Sequence, residues 1–451
     1  MFQIKHKQAP PWQEAAILLV FVLAIIGFFI IKLETVPHIP LILAVLTVTS
    51  YGLLKRISFS DLQSGLAQGA QTGIGAVFLF LLIGILISTW MVSGTIPVLL
   101  STGIQLIGGT WFYAIAFAVT AIIGTALGSS LTTSATIGVA FIGMAEAMDL
   151  SLAVSAGAIV SGAFFGDKMS PLSDTTNLAS TIVEVDLFQH IKNMAWTTLP
   201  AFLITFVIFA LMSPNEKVGS GQLEQYEQGL SASGLLHWYA WLPLILLVLL
   251  TLFKIRAFLT IAASSLLGTV IAGMSGSMSW LAVWNTWYSG YTADTGIEAV
   301  DGLLTRGGME GMFMTISLVL LALGLGGLLF VTGIIPSLLW TIQSKLTSLR
   351  KITFTTVLTA IGANVLIGEQ YLSILLTGEA YKKVYDEQGI SRKKLSRTLE
   401  DAGTVINPLV PWSVCGVFLA DVLGVPVLTY LPFAFFCMLC PVLTLMIKGD
   451  R

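Results

Sequence analysis

The sequence predicts an all-α, polytopic membrane protein: an inverted repeat with two re-entrant hairpins, two broken helices and about ten crossings. Three observations predict it. The first is composition. Of 451 residues, 55% are hydrophobic and only 10% charged, where a soluble domain carries about 25% charged residues. Mean hydropathy is +0.89, and apolar runs near the ~20 residues that span a bilayer recur from end to end. The second is internal self-similarity. Met91-Val-Ser-Gly-Thr-Ile-Pro-Val-Leu-Leu100 lines up with Phe330-Val-Thr-Gly-Ile-Ile-Pro-Ser-Leu-Leu339, Ile122-Ile-Gly124 with Ala360-Ile-Gly362, and Gly166-Asp-Lys-Met-Ser-Pro-Leu-Ser173 with Gly403-Thr-Val-Ile-Asn-Pro-Leu-Val410. The offsets are 239, 238 and 237, and three matches in order, each on a Gly or Pro, mark a duplicated unit. The third is a polar island at 161–177. It carries Asp167, Lys168, Asp174, five hydroxyls, two Gly and a Pro inside an apolar stretch. Ionisable groups at membrane depth are expensive and functional, and a Gly/Pro break in a spanning helix frees carbonyls to coordinate a cation.

The elements follow in order. Residues 1–36 form an N-terminal helix. Its apolar run, Glu14–Ile31, is too long for a signal-peptide core and lacks a cleavage site after it. Lys5 and Lys7 place the N-terminus in the cytoplasm. The first repeat spans 37–212. Ile39–Leu54 leads in to Lys55 and Arg56, and Ala76–Met91 leads out. Residues 92–112 carry no charge, as suits an outer loop, whereas the equivalent 332–351 hold Lys345, Arg350 and Lys351 and belong inside. Equivalent loops on opposite sides make the repeat inverted. Residues 110–148 read as a hairpin dipping in from outside, with its tip at Gly124–Ser134; a full span there breaks the later charge pattern. The polar island then falls in a broken helix, 151–183. Trp196–Met212 leads out.

Residues 213–255 are a polar outer linker and a connecting helix, whose single crossing inverts the second repeat, 256–451. That repeat contains a Trp/Tyr-rich outer segment at 276–308, a hairpin at 352–381 with its tip at Gly362–Tyr371, and a broken helix at 396–422 interrupted over Gly403–Pro411. The basic residues from Lys382 to Arg397 mark the inside, and Lys448 and Arg451 put the C-terminus there too.

Several functions are excluded by what the chain lacks. No nucleotide loop, nucleophile elbow or metal-ligand cluster occurs, so no enzyme chemistry and no cofactor is expected. Cys415, Cys437 and Cys440 lie in apolar spans and read as packing residues, the C-x-x-C spacing of the last two notwithstanding.

The four interrupted elements are expected to meet near the midplane. Their inventory is hard oxygen, which suits Na⁺. The expected cation ligands are Asp167, Ser170, Asp174, Thr175, Thr176 and Asn177 from the first break, with Ser130 and Thr133 from the first tip. Asn364, Glu369, Thr404 and Asn407 are expected to line a substrate or proton path. A carboxylate that binds H⁺ or Na⁺, never both, is the simplest exchange switch. Asp167 or Asp174 carries it, with Glu369 as a second titrating group. Three plainer readings compete: Asp167 or Asp174 paired internally with Lys168 or Arg397, Glu369 acting only as a helix cap, and the Ser/Thr run at 129–134 serving close helix packing. Glu400 and Asp401 read as either near-surface or lining the pathway. Glu184, Asp186 and His190 read as an inner-surface group, with two competing roles, a pH sensor and, the plainer one, interfacial caps. An offset of 237 sets Thr404 opposite Asp167 and Pro411 opposite Asp174.

The stretch Ser161-Gly-Ala-Phe-Phe-Gly-Asp-Lys-Met-Ser-Pro-Leu-Ser-Asp-Thr-Thr-Asn177 resembles the signature of the NhaC family of Na⁺/H⁺ antiporters. Leu395-Ser-Arg-Thr-Leu-Glu-Asp-Ala-Gly-Thr404 with Pro408-Leu-Val-Pro-Trp412 is similar to that family's other characteristic run, as are Glu369-Gln-Tyr-Leu372 and the Gly-rich first tip. The resemblance covers almost the whole chain. It implies a homodimer in a bacterial inner membrane, with a scaffold domain and a moving transport domain, exchanging Na⁺ or Li⁺ for H⁺ by an elevator-like mechanism. Partners are then Na⁺, H⁺ and lipid, with no nucleic acid. Other members exchange malate with protons for lactate with Na⁺, or carry amino acids. The wider superfamily binds carboxylates through Ser-Asn-Thr triplets at its tips. Here Ser129-Ser-Leu-Thr-Thr133 holds no such triplet, and Glu369 repels a dicarboxylate unless protonated. Both departures favour a cation as cargo.

Overall fold

The computed structural model describes residues 10–107, 109–214, 220–276, 278–343 and 348–447. Lys5, Lys7, Lys345, Lys448 and Arg451, which carry part of the expected orientation, lie outside the described residues. The described chain is helical, with an isolated β-bridge between Tyr291 and Arg306. Among the described residues, five helices are long and apolar enough to cross a membrane: Trp12–Lys32, Ile74–Val92, Leu187–Met212, Ala257–Ser275 and Met309–Val331. Two bent pairs join them, Arg392–Leu409 with Val414–Leu423 at 47° and Val427–Phe433 with Phe435–Met446 at 56°. Shorter apolar helices, among them His38–Leu54, Phe112–Leu127 and Trp238–Leu252, fall below the ~20 residues of a full span. Length and composition therefore give five to seven spans. The stretch expected as polar linker contains the helix Ser220–Ala232, and the aromatic outer segment contains Trp280–Ser289 and Glu298–Leu304.

Glycine sets the closest helix crossings. Phe112–Leu127 packs along Leu152–Met169 more extensively than any other described pair. A Cβ on Gly166 would lie 2.4 Å from the Gly124 carbonyl carbon, and one on Gly162 would lie 2.0 Å from the Thr120 hydroxyl. The Gly162-x-x-x-Gly166 spacing thus lets two backbones touch where lipid supplies no hydrophobic drive between helices. Phe59–Gln71 meets Met309–Val331 in the same way, with Gly69 against the Leu323 carbonyl and Gly327.

From Gly128 onward one backbone itinerary runs twice, 240 residues apart. Gly128 and Gly368 end the helices Phe112–Leu127 and Leu349–Ile367 in the left-handed conformation, φ +65° and +74°. The next residue, Ser129 or Glu369, caps the following helix with its side chain. Asp149 and Gly389 are again left-handed, and Ser151 and Ser391 cap again. Ser173 and Ser413 cap the helices beyond the breaks, and Glu184 and Gly424 make the next left-handed turns. The register is therefore 240 at the breaks, not 237. Asp167 corresponds to Asn407 rather than Thr404, and Asp174 to Val414 rather than Pro411. The offset of 237 pairs Pro171 with Pro408, whereas the recurring turn places Pro171 with Pro411.

Candidate functional site

The first break is written in Ser170-Pro171. A residue before proline is pushed out of the α region, and Ser170 sits at φ −85°, ψ 131°. The chain turns through Pro171 and Leu172, and the Ser173 hydroxyl accepts from the Thr176 N–H to restart the helix at Asp174. Val410-Pro411 does the same at the second break, with Val410 at φ −98°, ψ 117°.

A cavity of about 600 Å³ opens beside the first break. One wall is built from residues 127–132, Asp167, Leu172, Asp174, Thr175, 369–371 and 414–415. The facing wall comes from Thr72 to Leu79 and from Thr251 to Ile261, including Lys254 and Arg256.

Asp167 is the polar centre of the first wall and only 5% exposed. The Ser130 N–H and hydroxyl donate to its Oδ2 at 3.2 and 2.6 Å, and the Ser173 hydroxyl donates to Oδ1 at 2.6 Å. Thr175 Oγ1 lies 3.0 Å from Ser173 Oγ, extending the hydroxyl ring. Asp174 is exposed to the cavity. Glu369 also lines it, while its Oε2 accepts the Leu372 N–H at 2.7 Å, so it both caps a helix and faces the space. Of the expected residues, the structure thus brings Asp167, Ser130, Asp174, Thr175 and Glu369 to one cavity.

The other expected residues stand back from it. Ser170 Oγ accepts the Leu172 N–H within the turn. The Thr176 hydroxyl donates to the Lys168 carbonyl at 3.1 Å, Asn177 Nδ2 to the Ser173 carbonyl at 2.7 Å, and the Thr133 hydroxyl to the Ser129 carbonyl at 2.8 Å. Ser170 and Thr176 hold backbone groups at the break, whereas the Ser173 and Ser129 carbonyls also accept the Asn177 and Thr133 N–H of their own helices. Asn364 and Asn407 form a buried amide knot at the second break. Asn364 Nδ2 donates to the Gly403 carbonyl at 2.6 Å, and Asn407 Nδ2 donates to Asn364 Oδ1 at 2.8 Å. Asn407 Oδ1 accepts the Cys415 N–H at 3.0 Å. Thr404 is fully buried, off the cavity wall.

Sequence reasoning missed the main buried ion pair. Lys168 pairs with Asp401, both fully buried, and not with Asp167 or Asp174. Asp401 Oδ2 also accepts the Thr197 hydroxyl at 2.9 Å and the Thr444 hydroxyl. The available signal was one lysine and one aspartate of opposite sign in apolar stretches 233 positions apart. Glu400 and Asp401 are neither near-surface nor on the cavity wall; both are buried. His190 is buried as well, its Nδ1 2.8 Å from the Ser396 hydroxyl, so it does not stand at a surface with Glu184 and Asp186. Asp186 does cap its helix, accepting the Gln189 N–H at 3.0 Å. Glu184 pairs with Lys382 and Arg392 at 2.5 and 2.6 Å, and these cations hold its carboxyl below the usual carboxylate range.

Apolar helices that break around a buried carboxylate, itself open to a cavity, define an ion-coupled membrane transporter. The particular family follows from comparison. The profile of the Na⁺/H⁺ antiporter family matches residues 162–448. The chain is 41% identical to the Na⁺/H⁺ antiporter NhaC of Alkalihalophilus pseudofirmus, over 94% of this chain and 91% of that protein. It is 38% identical to the Na⁺/H⁺ antiporter NhaC of Bacillus subtilis, over 95% of this chain and 96% of that one. It is also 32% identical to the malate-2H⁺/Na⁺-lactate antiporter of Bacillus subtilis, over 95% and 92%. The chain belongs to the Na⁺/H⁺ antiporter family. It is a multi-pass inner-membrane transporter and not an enzyme.

Proposed function

We propose that the protein exchanges cytoplasmic Na⁺, or Li⁺, for external H⁺, and that both ions use Asp167. The observation that carries this reading is the Asp167 environment: a carboxylate almost excluded from solvent, yet on a cavity wall and ringed by hydroxyls. A hydroxyl is both donor and acceptor. With Asp167 empty, Ser130 and Ser173 donate to it. With Na⁺ present they rotate, and their lone pairs join the carboxylate as ligands. A proton instead neutralises the carboxylate and removes its attraction for the cation. Occupancy by one ion therefore excludes the other. Asp174, Thr175 and Glu369 complete the polar wall, and Ser170, Thr176, Asn177 and Thr133 keep the break in shape.

The finer architecture belongs to the same reading. The 240-residue recurrence supports a repeat of two units, and the loop charges support its inversion. In that arrangement the two helix pairs closed by Gly128 and Gly368 are re-entrant hairpins, the crossings number about ten, and both termini are cytoplasmic. Lys254 and Arg256 on the cavity wall support an opening to the cytoplasm. Elevator-like transport slides the wall bearing Asp167 past the wall formed by Thr72–Leu79 and Thr251–Ile261, within a homodimer held by the latter.

Lys254 and Arg256, in a cavity of about 600 Å³, also favour a second reading, Na⁺/H⁺-coupled exchange of an organic anion. Proteoliposomes with an internal pH dye decide between the two. Proton movement after a pulse of NaCl or LiCl alone is the expected result. Movement only when malate or lactate is also supplied sinks simple cation exchange.

A further inference from the structure

Two phenylalanines bring the walls of the Asp167 cavity into contact. On the facing wall, Ala76 and Leu79 of Ile74–Val92 line the cavity. On the Asp167 wall, Val414 and Cys415 of Val414–Leu423 line it. One turn beyond Ala76 stands Phe80, and one turn beyond Val414 stands Phe418. Their rings stack with 4.6 Å between centroids and 17° between planes, and both are fully buried. Past the stack the same two helices line a second cavity, of about 300 Å³. Ile87 reaches it from the first helix, and Asp421 and Val422 from the second; Val139, Arg306 and Met312 line it too.

The order is the same on both helices. Ala76, Phe80 and Ile87 are spaced by four and seven residues, which puts them on one helix face. Val414, Phe418 and Val422 are spaced by four, again one face, with Cys415 and Asp421 beside them. Each face therefore runs first cavity, ring, second cavity. At a rise of ~1.5 Å per residue, Ala76 and Ile87 are about 16 Å apart along the helix. No polar side chain of either helix bridges that distance, since residues 76–87 and 416–420 are all apolar or Gly. The backbone is spent as well: the Gly84 carbonyl accepts the Gly308 N–H at 2.8 Å. A cation stripped of its water finds no ligand there, and an apolar constriction excludes hydrated ions by dewetting. The second cavity is polar again. Asp421 is exposed, and Arg306 pairs with the partly exposed Glu146 at 3.4 Å.

We infer that the second cavity is the far half of the cation's route, and that the Phe80–Phe418 stack is the barrier shutting it off from Asp167. An exchanger opens its site to one side at a time. A path joining the two cavities would let Na⁺ run downhill with no proton in return. With one ring on each wall, the seal depends on how the walls stand relative to each other. Sliding parts the rings, and only then does Asp167 face the space lined by Ile87 and Asp421.

This inference rests on the reading that Asp167 carries the ion between two walls that slide, and one experiment keeps the two apart. Proteoliposomes are loaded with radioactive Na⁺, and Na⁺ efflux and internal pH are followed together. The proteins compared are wild type, Phe80→Ala, Phe418→Ala, Phe80→Leu and Asp167→Asn. Wild type should move a fixed number of protons per Na⁺. Each alanine variant should release Na⁺ with the protons moved per Na⁺ falling toward zero. Phe80→Leu should keep wild-type coupling, because a bulky apolar side chain still seals. Phe80→Ala combined with Asp167→Asn should leak Na⁺ that Asp167→Asn alone retains. Wild-type coupling in an alanine variant that folds overturns the barrier. So does failure of both alanine variants to fold in a thermal-unfolding assay, which would make the rings packing residues. An Asp167→Asn protein that exchanges like wild type instead removes Asp167 as the ion site, whatever the rings do.

Discussion

At the first break Ser170-Pro171 ends one helix and Ser173 starts the next; at the second, Val410-Pro411 and Ser413 do the same. The position four residues before the proline is Asp167 in one and Asn407 in the other. Asp167 faces a cavity and takes only hydroxyl and N–H donors. Asn407 is sealed against Asn364, Ser413 and the Cys415 N–H, with both halves of its amide used. One backbone plan thus supports a group that can change charge at one break and a group that cannot at the other. The bend occurs at both breaks and the titratable centre at one of them.

The largest expected effect is at that centre. Asp167→Asn abolishes Na⁺-driven proton movement in proteoliposomes while leaving thermal unfolding in detergent within a few degrees. The converse change, Asn407→Asp, replaces the donor to Asn364 with an oxygen in a buried site and costs about 3 kcal/mol, read as a lowered unfolding midpoint. Combining the two does not restore exchange. A double variant with wild-type exchange would show that the breaks are interchangeable and would break the comparison.

Smaller effects sharpen it. Gly166→Ala forces apart two touching backbones and destabilises by about 1–3 kcal/mol. Ser173→Ala and Ser413→Ala each remove a helix cap, worth about 1 kcal/mol. Only Ser173→Ala should also weaken Na⁺ binding, by roughly tenfold, because only Ser173 donates to the carboxylate. Equal Na⁺ affinities in the two variants would contradict the assigned roles. The smallest effect lies at the surface. Lys382 and Arg392 hold the pKa of Glu184 below the usual carboxylate range, so its contribution to stability is present above the ordinary carboxylate range and is lost as pH falls through the lowered value. Glu184→Gln should lower the unfolding midpoint slightly at pH 7, and the difference should vanish on strong acidification.

Much of this was legible in the chain. Ser170-Pro171 and Pro408–Pro411 announced breaks because proline restricts the residue before it. Gly128 and Gly368 lay inside the stretches expected as tips, since each must reach a left-handed φ. Asp167 stood out because charge is rare in apolar sequence. The rest depended on distance in space. Nothing local in Thr176, Asn177 or Thr133 says that their side chains turn back onto backbone carbonyls. Lys168 sits next to Asp167 in sequence, yet the helix points it at Asp401. Asn364 and Asn407 looked like pathway ligands because an amide that binds an ion and one that closes on its neighbour have the same composition. The offset of 237 read from the sequence and the backbone recurrence of 240 differ by three residues because prolines at 408 and 411 both offer a match to Pro171.

The central claim is that Na⁺ and H⁺ use Asp167 in turn, and initial rates of Na⁺ uptake at graded Na⁺ concentrations and pH values test it most directly. Competition for one carboxylate predicts that acidification raises KM for Na⁺, by about tenfold per pH unit below the midpoint, and leaves the maximal rate unchanged. A maximal rate that falls with acid while KM stays constant would contradict a shared site.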